Sequence, residues 1–256
     1  MNSDIRACSR TDRGIRDGNE DACGVWRAAG PGGIFTILAV ADGLGGHPAG
    51  EMASQLALEA LSQRISAGIV ELHGAGSGDL QSLMENAFLY ANSEVIRRSE
   101  DVPEWSGMGT TLIAAIVDPE GACILGNIGD SRAYLIGEGI EKITRDHSKV
   151  QELVDSGLIT QDSADRHPMK NIVTRIIGRR EERPDVYTVQ LNGSRLLLCS
   201  DGLVDGLSME EIFSIASREP VGDACQRLVE SARKRSRDNI TVVMAEKSRG
   251  LPPGMP

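Results

Sequence analysis

Apolar and polar positions follow one another along this chain in two rhythms. Short runs rich in β-branched and other apolar residues predict strands at 22–27, 34–41, 110–117, 122–128, 133–136, 186–191, 195–199 and 240–245. Longer stretches of helical character cover 48–65, 79–99, 208–217 and 220–235, the first two separated by a Gly-rich bridge at 67–78. Pro48 suits a first helical position, where a missing N–H costs nothing, and Glu51 falls in the first turn. Ser208 with Glu211 three positions on matches a capping box.

Two pairs of helices set into a run of strands imply sheets covered on their outer faces. The connection Asp118-Pro119-Glu120-Gly121 between two apolar runs is too short for a parallel crossover and has turn chemistry. A Rossmann arrangement is therefore disfavoured, and an α+β fold is expected. Its form is a four-layer α-β-β-α sandwich, with two central, mainly antiparallel sheets flanked by helix pairs. The polar segment from Asp146 to Ile177, with a short helix near 149–156, interrupts this scheme and reads as a surface flap at about 147–177. One catalytic domain over 1–249 is expected, followed by a disordered tail at 250–256.

Composition narrows the function classes. The chain has 256 residues, 37 acidic and 27 basic, for a formal net charge of -10. Such a balance argues against nucleic acid as a partner. The basic run Arg233-Lys234-Arg235-Ser236-Arg237 reads as a solvated last helical turn. No window reaches the ~18 to 20 apolar residues of a membrane span, and residues 1–6 lack the apolar core of a signal peptide. A cytoplasmic monomer with no membrane association is expected. The five cysteines Cys8, Cys23, Cys123, Cys199 and Cys225 form no C-x-x-C pair and are expected to be reduced. None has an arginine six positions later, so the Cys-x5-Arg loop of cysteine-dependent phosphatases is absent.

The informative chemistry is carboxylate placement. Asp42, Asp130 and Asp201 each follow an apolar run, Asp238 precedes one, and Glu20-Asp21 stands before the run at 22–27. Singly, each fits a turn. Strands of one sandwich end on a common rim, however, and converging carboxylates repel: two like charges at 4 Å cost roughly 4 kcal/mol at an effective dielectric near 20. Bridging cations would remove that cost. An all-oxygen donor set favours Mg²⁺ or Mn²⁺, and a pair of such ions can activate water for in-line displacement at phosphorus. Phosphoester hydrolysis is the chemistry these residues predict.

Seven segments carry a family resemblance: Arg16-Asp17-Gly18-Asn19-Glu20-Asp21, Asp42-Gly43-Leu44-Gly45-Gly46-His47, Gly107-Met108-Gly109-Thr110-Thr111, Gly129-Asp130-Ser131-Arg132-Ala133-Tyr134, His167-Pro168-Met169-Lys170-Asn171, Ser200-Asp201-Gly202 and Arg237-Asp238-Asn239. In this order they resemble the motif series of the metal-dependent protein phosphatase (protein phosphatase 2C-like) family, in its bacterial branch. The resemblance implies hydrolysis of phosphoserine and phosphothreonine in proteins through attack by a metal-bridging hydroxide, with a bacterial Ser/Thr kinase as the opposing enzyme. It implies two Mn²⁺ or Mg²⁺ ions and a third, weaker one. Asp42 would bridge the pair, Asp201 and Asp238 complete one site, and Glu20 with the Gly43 carbonyl serve the other. Asp21 would hold metal-bound water, and Asp130 with Asp201 would bind the third ion. Arg16 would bind the substrate phosphate, for which a planar, permanently charged fork is suited.

One departure stands out. Animal members carry a histidine after the Asp-Gly pair as general acid, whereas this chain has Leu44. His47 is read as a capping or packing residue, His147 and His167 as structural or substrate-facing, and His73 as exposed. Two alternatives use the same residues: a phosphatase specialised for a small phospho-regulator of sigma-factor control, and a non-catalytic phosphatase-like binding module.

Overall fold

The computed structural model describes residues 5–44, 49–72, 77–164 and 166–248. Gly45, Gly46, His47, Pro48, His73 and the tail at 250–256 lie outside them. In chain order the elements are β1 (Ile5–Asp12), β2 (Asp21–Gly30), β3 (Gly33–Leu44), α1 (Ala49–Glu71), α2 (Ser77–Asp101), β4 (Gly109–Thr110), β5 (Leu112–Val117), β6 (Ala122–Ile128), β7 (Arg132–Ile136) and β8 (Ile140–Lys142). They continue with α3 (Lys149–Asp155), α4 (Gln161–Ala164), β9 (Asp185–Gln190), β10 (Arg195–Cys199), α5 (Asp201–Gly206), α6 (Met209–Arg218), α7 (Val221–Ala232) and β11 (Ile240–Lys247).

Two sheets form the centre. One has the order β1-β11-β10-β7-β8, the other β2-β3-β5-β6-β9 with β4 paired to β3, and every strand pairing is antiparallel. The period of two along each strand builds three apolar layers. On β3, Phe35, Ile37, Ala39 and Ala41 face α1 and α2, while Leu38 and Val40 face the other sheet. On β11, Ile240, Val242 and Met244 face α6 and α7, while Val243 and Ala245 turn inward. Strands covered on both faces read as unbroken apolar runs, which is why β3, β5, β10 and β11 stand out in the sequence. The α-β-β-α sandwich is the expected one. Ser208 caps α6, accepting from the Glu211 N–H while the Glu211 carboxylate accepts from the Ser208 N–H.

Three features differ from expectation. β1 was not among the predicted strands, because it is a sheet edge whose sequence buries only Ile5 fully. Asp201-Gly202 is not a turn but the first turn of α5, entered through Ser200. Cys8 and Cys225 are joined as a disulfide rather than both reduced: packing of α7 on β1 brings together sulfurs 217 positions apart, a proximity no local spacing reveals. Among the described residues no helix is long and apolar enough to cross a membrane.

Candidate functional site

The acidic positions sit where strands of both sheets end on one side. Asp21 opens β2 and Asp42 lies near the end of β3, and the two are direct cross-strand partners. Like charges placed this way destabilise a sheet unless something offsets them. Asp201 follows β10, Asp238 precedes β11, and Asp130 stands between β6 and β7. Asp42 interacts electrostatically with Asp21, Asp201, Asp130 and Asp238, so five of the six acidic positions share one cleft.

Burial is the first cause of the titration behaviour there, with mutual repulsion behind it. It pushes Asp42 well above the ordinary carboxylate range. Asp21 rises to about 7, despite hydrogen bonds from Thr241 and Ser200 that work the other way. Asp130 also rises to about 7, and Asp201 to about 6, each tempered by Arg132. The Arg132 guanidinium is anchored on Asp146, from Nε at 3.0 Å and Nη2 at 2.8 Å.

The remaining expected residues border this cleft. Arg16 Nη2 lies 2.7 Å from Asp238 Oδ2, and its Nε donates to the Arg237 carbonyl at 3.1 Å. At 55% and 37% side-chain exposure this pair is worth at most about 1 kcal/mol, so a better anion can displace it. Glu20 turns its carboxylate toward Gly50 in the first turn of α1, and its carbonyl accepts from Gly43 N–H at 3.2 Å and Ser54 Oγ at 2.6 Å. Gly43 and Gly50 pass so closely that a Cβ on Gly43 would collide with the Gly50 carbonyl, and one on Gly50 with Glu20 Oε2. Glycine is required where these backbones meet. Leu44 pairs with Gly109 at the end of β3. His167 is local: its Nδ1 accepts from Met169 N–H at 3.2 Å.

Several residues that sequence reasoning left without a role hold this arrangement. Thr111 Oγ1 accepts from Asp42 N–H at 3.0 Å and meets Ser131 Oγ at 2.8 Å, while Thr110 Oγ1 donates to the Asp42 carbonyl at 2.9 Å. Ser200 Oγ donates to Asp21 Oδ2 at 2.8 Å and accepts from Thr241 N–H at 3.0 Å, tying the two sheets together beneath the cleft. Asn239 is a three-way stitch. Its Oδ1 accepts from Glu20 N–H at 2.8 Å, and its Nδ2 donates to the Arg13 and Gly18 carbonyls at 3.0 and 2.9 Å. The loop carrying Arg16 is thereby fastened to the strand end carrying Asp238. The only signal in sequence was membership of these residues in motifs.

A cation suits the donor set. Asp21 Oδ1 and Asp201 Oδ1 are buried with no hydrogen-bond partner among the described residues, a costly state for an anion's oxygen. Hard carboxylate oxygens in excess match a hard divalent ion. Among the described residues no three acidic, histidine or cysteine side chains close on a single point as they stand, so the fit rests on charge and donor type.

The model of the family described as Protein phosphatase 2C matches residues 12–241. The serine/threonine protein phosphatase PstP of Mycobacterium tuberculosis is 39% identical over 246 residues, covering 94% of this chain and 45% of its own length, so the chain spans less than half of that relative. The serine/threonine phosphatase stp of Listeria monocytogenes is 36% identical over 252 residues, covering 93% of this chain and 94% of its own. A crystal structure of the catalytic domain of PstP in complex with two manganese ions superposes with a TM-score of 0.80 at 36% identity, covering 94% of this chain and 97% of the other.

Proposed function

The chain belongs to the protein phosphatase 2C family, and from that premise we propose that it is a metal-dependent protein serine/threonine phosphatase. It hydrolyses phosphoserine and phosphothreonine in proteins and reverses a bacterial Ser/Thr kinase in the cytoplasm. The observation that carries this reading is the cleft of five aspartates with two orphaned carboxylate oxygens.

Asp42, Asp201 and Asp238 would hold one ion, and Asp42, Glu20 and the Gly43 carbonyl a second. Asp21 would hold the water around them, and Asp130 with Asp201 a third and weaker ion. Manganese is favoured by the two-manganese relative, and magnesium suits the same donors. When bound, such ions acidify water and draw charge from the phosphoryl oxygens. The other tasks fall to the chain itself. Arg16 binds the substrate phosphate through its fork, exchanging its exposed contact with Asp238 for a stronger charge-assisted pair. Asn239 keeps the Arg16 loop in reach. Thr110 and Thr111 fix the Asp42 backbone, so that its carboxylate need not reorganise as charge develops. Leu44 has no proton to give, so the leaving alkoxide takes its proton from water in the cleft.

The test is turnover of p-nitrophenyl phosphate and of phosphothreonine peptides. Purified protein is expected to be active with Mn²⁺, inactive in EDTA and insensitive to okadaic acid. Absence of metal-dependent turnover on both substrates would sink the enzyme reading.

A further inference from the structure

His147 lies outside the carboxylate set, yet it grips the corner that carries one of them. The residue is 5% exposed. Its Nδ1 accepts from Gly129 N–H at 3.0 Å, and its backbone N–H donates to the Gly129 carbonyl at 2.9 Å, so both backbone polar groups of the glycine before Asp130 are held by one residue. Gly129 cannot take another anchor by gaining a side chain: its φ is +117°, and a Cβ there would run into Thr111. With Nδ1 accepting, the ring proton belongs on Nε2, which faces Asp185 Oδ2 at 3.2 Å. Arg175 Nη1 stands 2.8 Å from Nε2 and donates to Asp185 Oδ1 at 2.8 Å. Burial, and then the Arg175 charge, keep the ring below its ordinary pKa against the pull of Asp185, so the Nδ1 lone pair stays available. On its other side the His147 carbonyl accepts from Thr174 N–H at 2.8 Å, next to the Ser148–Val173 bridge that closes the flap.

We infer that His147 is a positioning residue for Asp130: the imidazole Nδ1 orients the Gly129–Asp130 corner for a divalent cation, and through its carbonyl it couples that corner to the flap. This rests on the reading of Asp130 as a ligand of the weaker ion. Groups that orient a metal ligand typically change affinity by about 10–100-fold when removed.

The experiment is Mn²⁺ binding to EDTA-treated protein, followed by the electron paramagnetic resonance of free Mn²⁺ up to millimolar concentration, with melting temperature alongside. His147→Leu is expected to weaken the weakest site by roughly tenfold, and Asp130→Asn at least as much. The double variant should lose no more than Asp130→Asn alone, because the two act on one corner. His147→Asn, whose Oδ1 can take the place of Nδ1, should keep near-wild-type binding. Unchanged binding in His147→Leu beside a weakened Asp130→Asn overturns the inference alone. Unchanged binding in Asp130→Asn overturns the ligand reading, and the inference with it. Should His147→Leu not fold, His147→Asn is compared with His147→Gln, whose amide reaches the Nε2 position instead; equal Mn²⁺ binding in those two overturns the inference.

Discussion

Asp42→Asn should make the metal-free protein more stable while abolishing its turnover. The exchange keeps the side chain's shape and leaves the backbone bonds of residue 42 to Thr110 and Thr111 in place. It removes a buried carboxyl whose ionisation is opposed first by burial and then by Asp21, Asp201, Asp130 and Asp238. Asn escapes both the burial of a charge and that repulsion, a gain of about 1 to 2 kcal/mol on the scale Coulomb's law sets for like charges at an effective dielectric near 20. For a chain of this length that is a rise in melting temperature of roughly 3 to 6 °C. The pH dependence has a definite sign. A carboxyl whose folded pKa is raised contributes stability below its unfolded value and loses it as pH climbs through the folded one. Metal-free wild type should therefore become less stable between pH 4 and 7, and the advantage of Asp42→Asn should be absent below about pH 4 and grow steadily toward pH 7.5. Differential scanning fluorimetry in EDTA across that range measures it, and added Mn²⁺ should raise wild type more than the variant. A variant that melts lower than wild type at pH 7.5 in EDTA would refute the reasoning.

Arg16→Ala should raise KM for phosphopeptides by about ten- to hundredfold, the value of a hydrogen bond to a charged group, with a smaller change in kcat; unchanged kinetics would remove Arg16 from the site. Thr111→Val leaves the Asp42 N–H without its acceptor and should cost roughly 1–3 kcal/mol in urea unfolding, with Thr111→Ser restoring most of it. Asn239→Leu unfastens the loop at 13–20 and should speed its hydrogen exchange while kcat/KM falls, and equal exchange in both proteins would contradict the stitching role.

Much of the architecture was legible because of how the sheets are covered. Strands buried on both faces, such as β3 and β11, have little freedom in composition, and the carboxylates at their ends stand out against apolar runs. β1 escaped notice for the opposite reason, since an edge strand with one fully buried residue leaves almost no pattern. Asp201 was legible as an acidic strand end but not as the start of α5, because Asp-Gly is also a common turn pair. The roles of Ser200, Thr111, Asn239 and His147 are set by partners such as Asp21 and Gly129 that are 18 to 226 positions away. No local rule reaches that far, and neither did it reach the bond between Cys8 and Cys225.

The inward layer between the sheets, with Leu38 and Val40 on one side and Leu198 and Val243 on the other, is also the gauge that spaces the charges. Asp21 and Asp42 belong to one sheet, and Asp201 and Asp238 to the other, so neither sheet on its own collects the full electrostatic load. The site that collects all of them exists only where the apolar layer holds the two sheets face to face. Chemistry at this rim is thus a property of both sheets together, and any change that lets one sheet slide on the other alters the site without touching a residue in it.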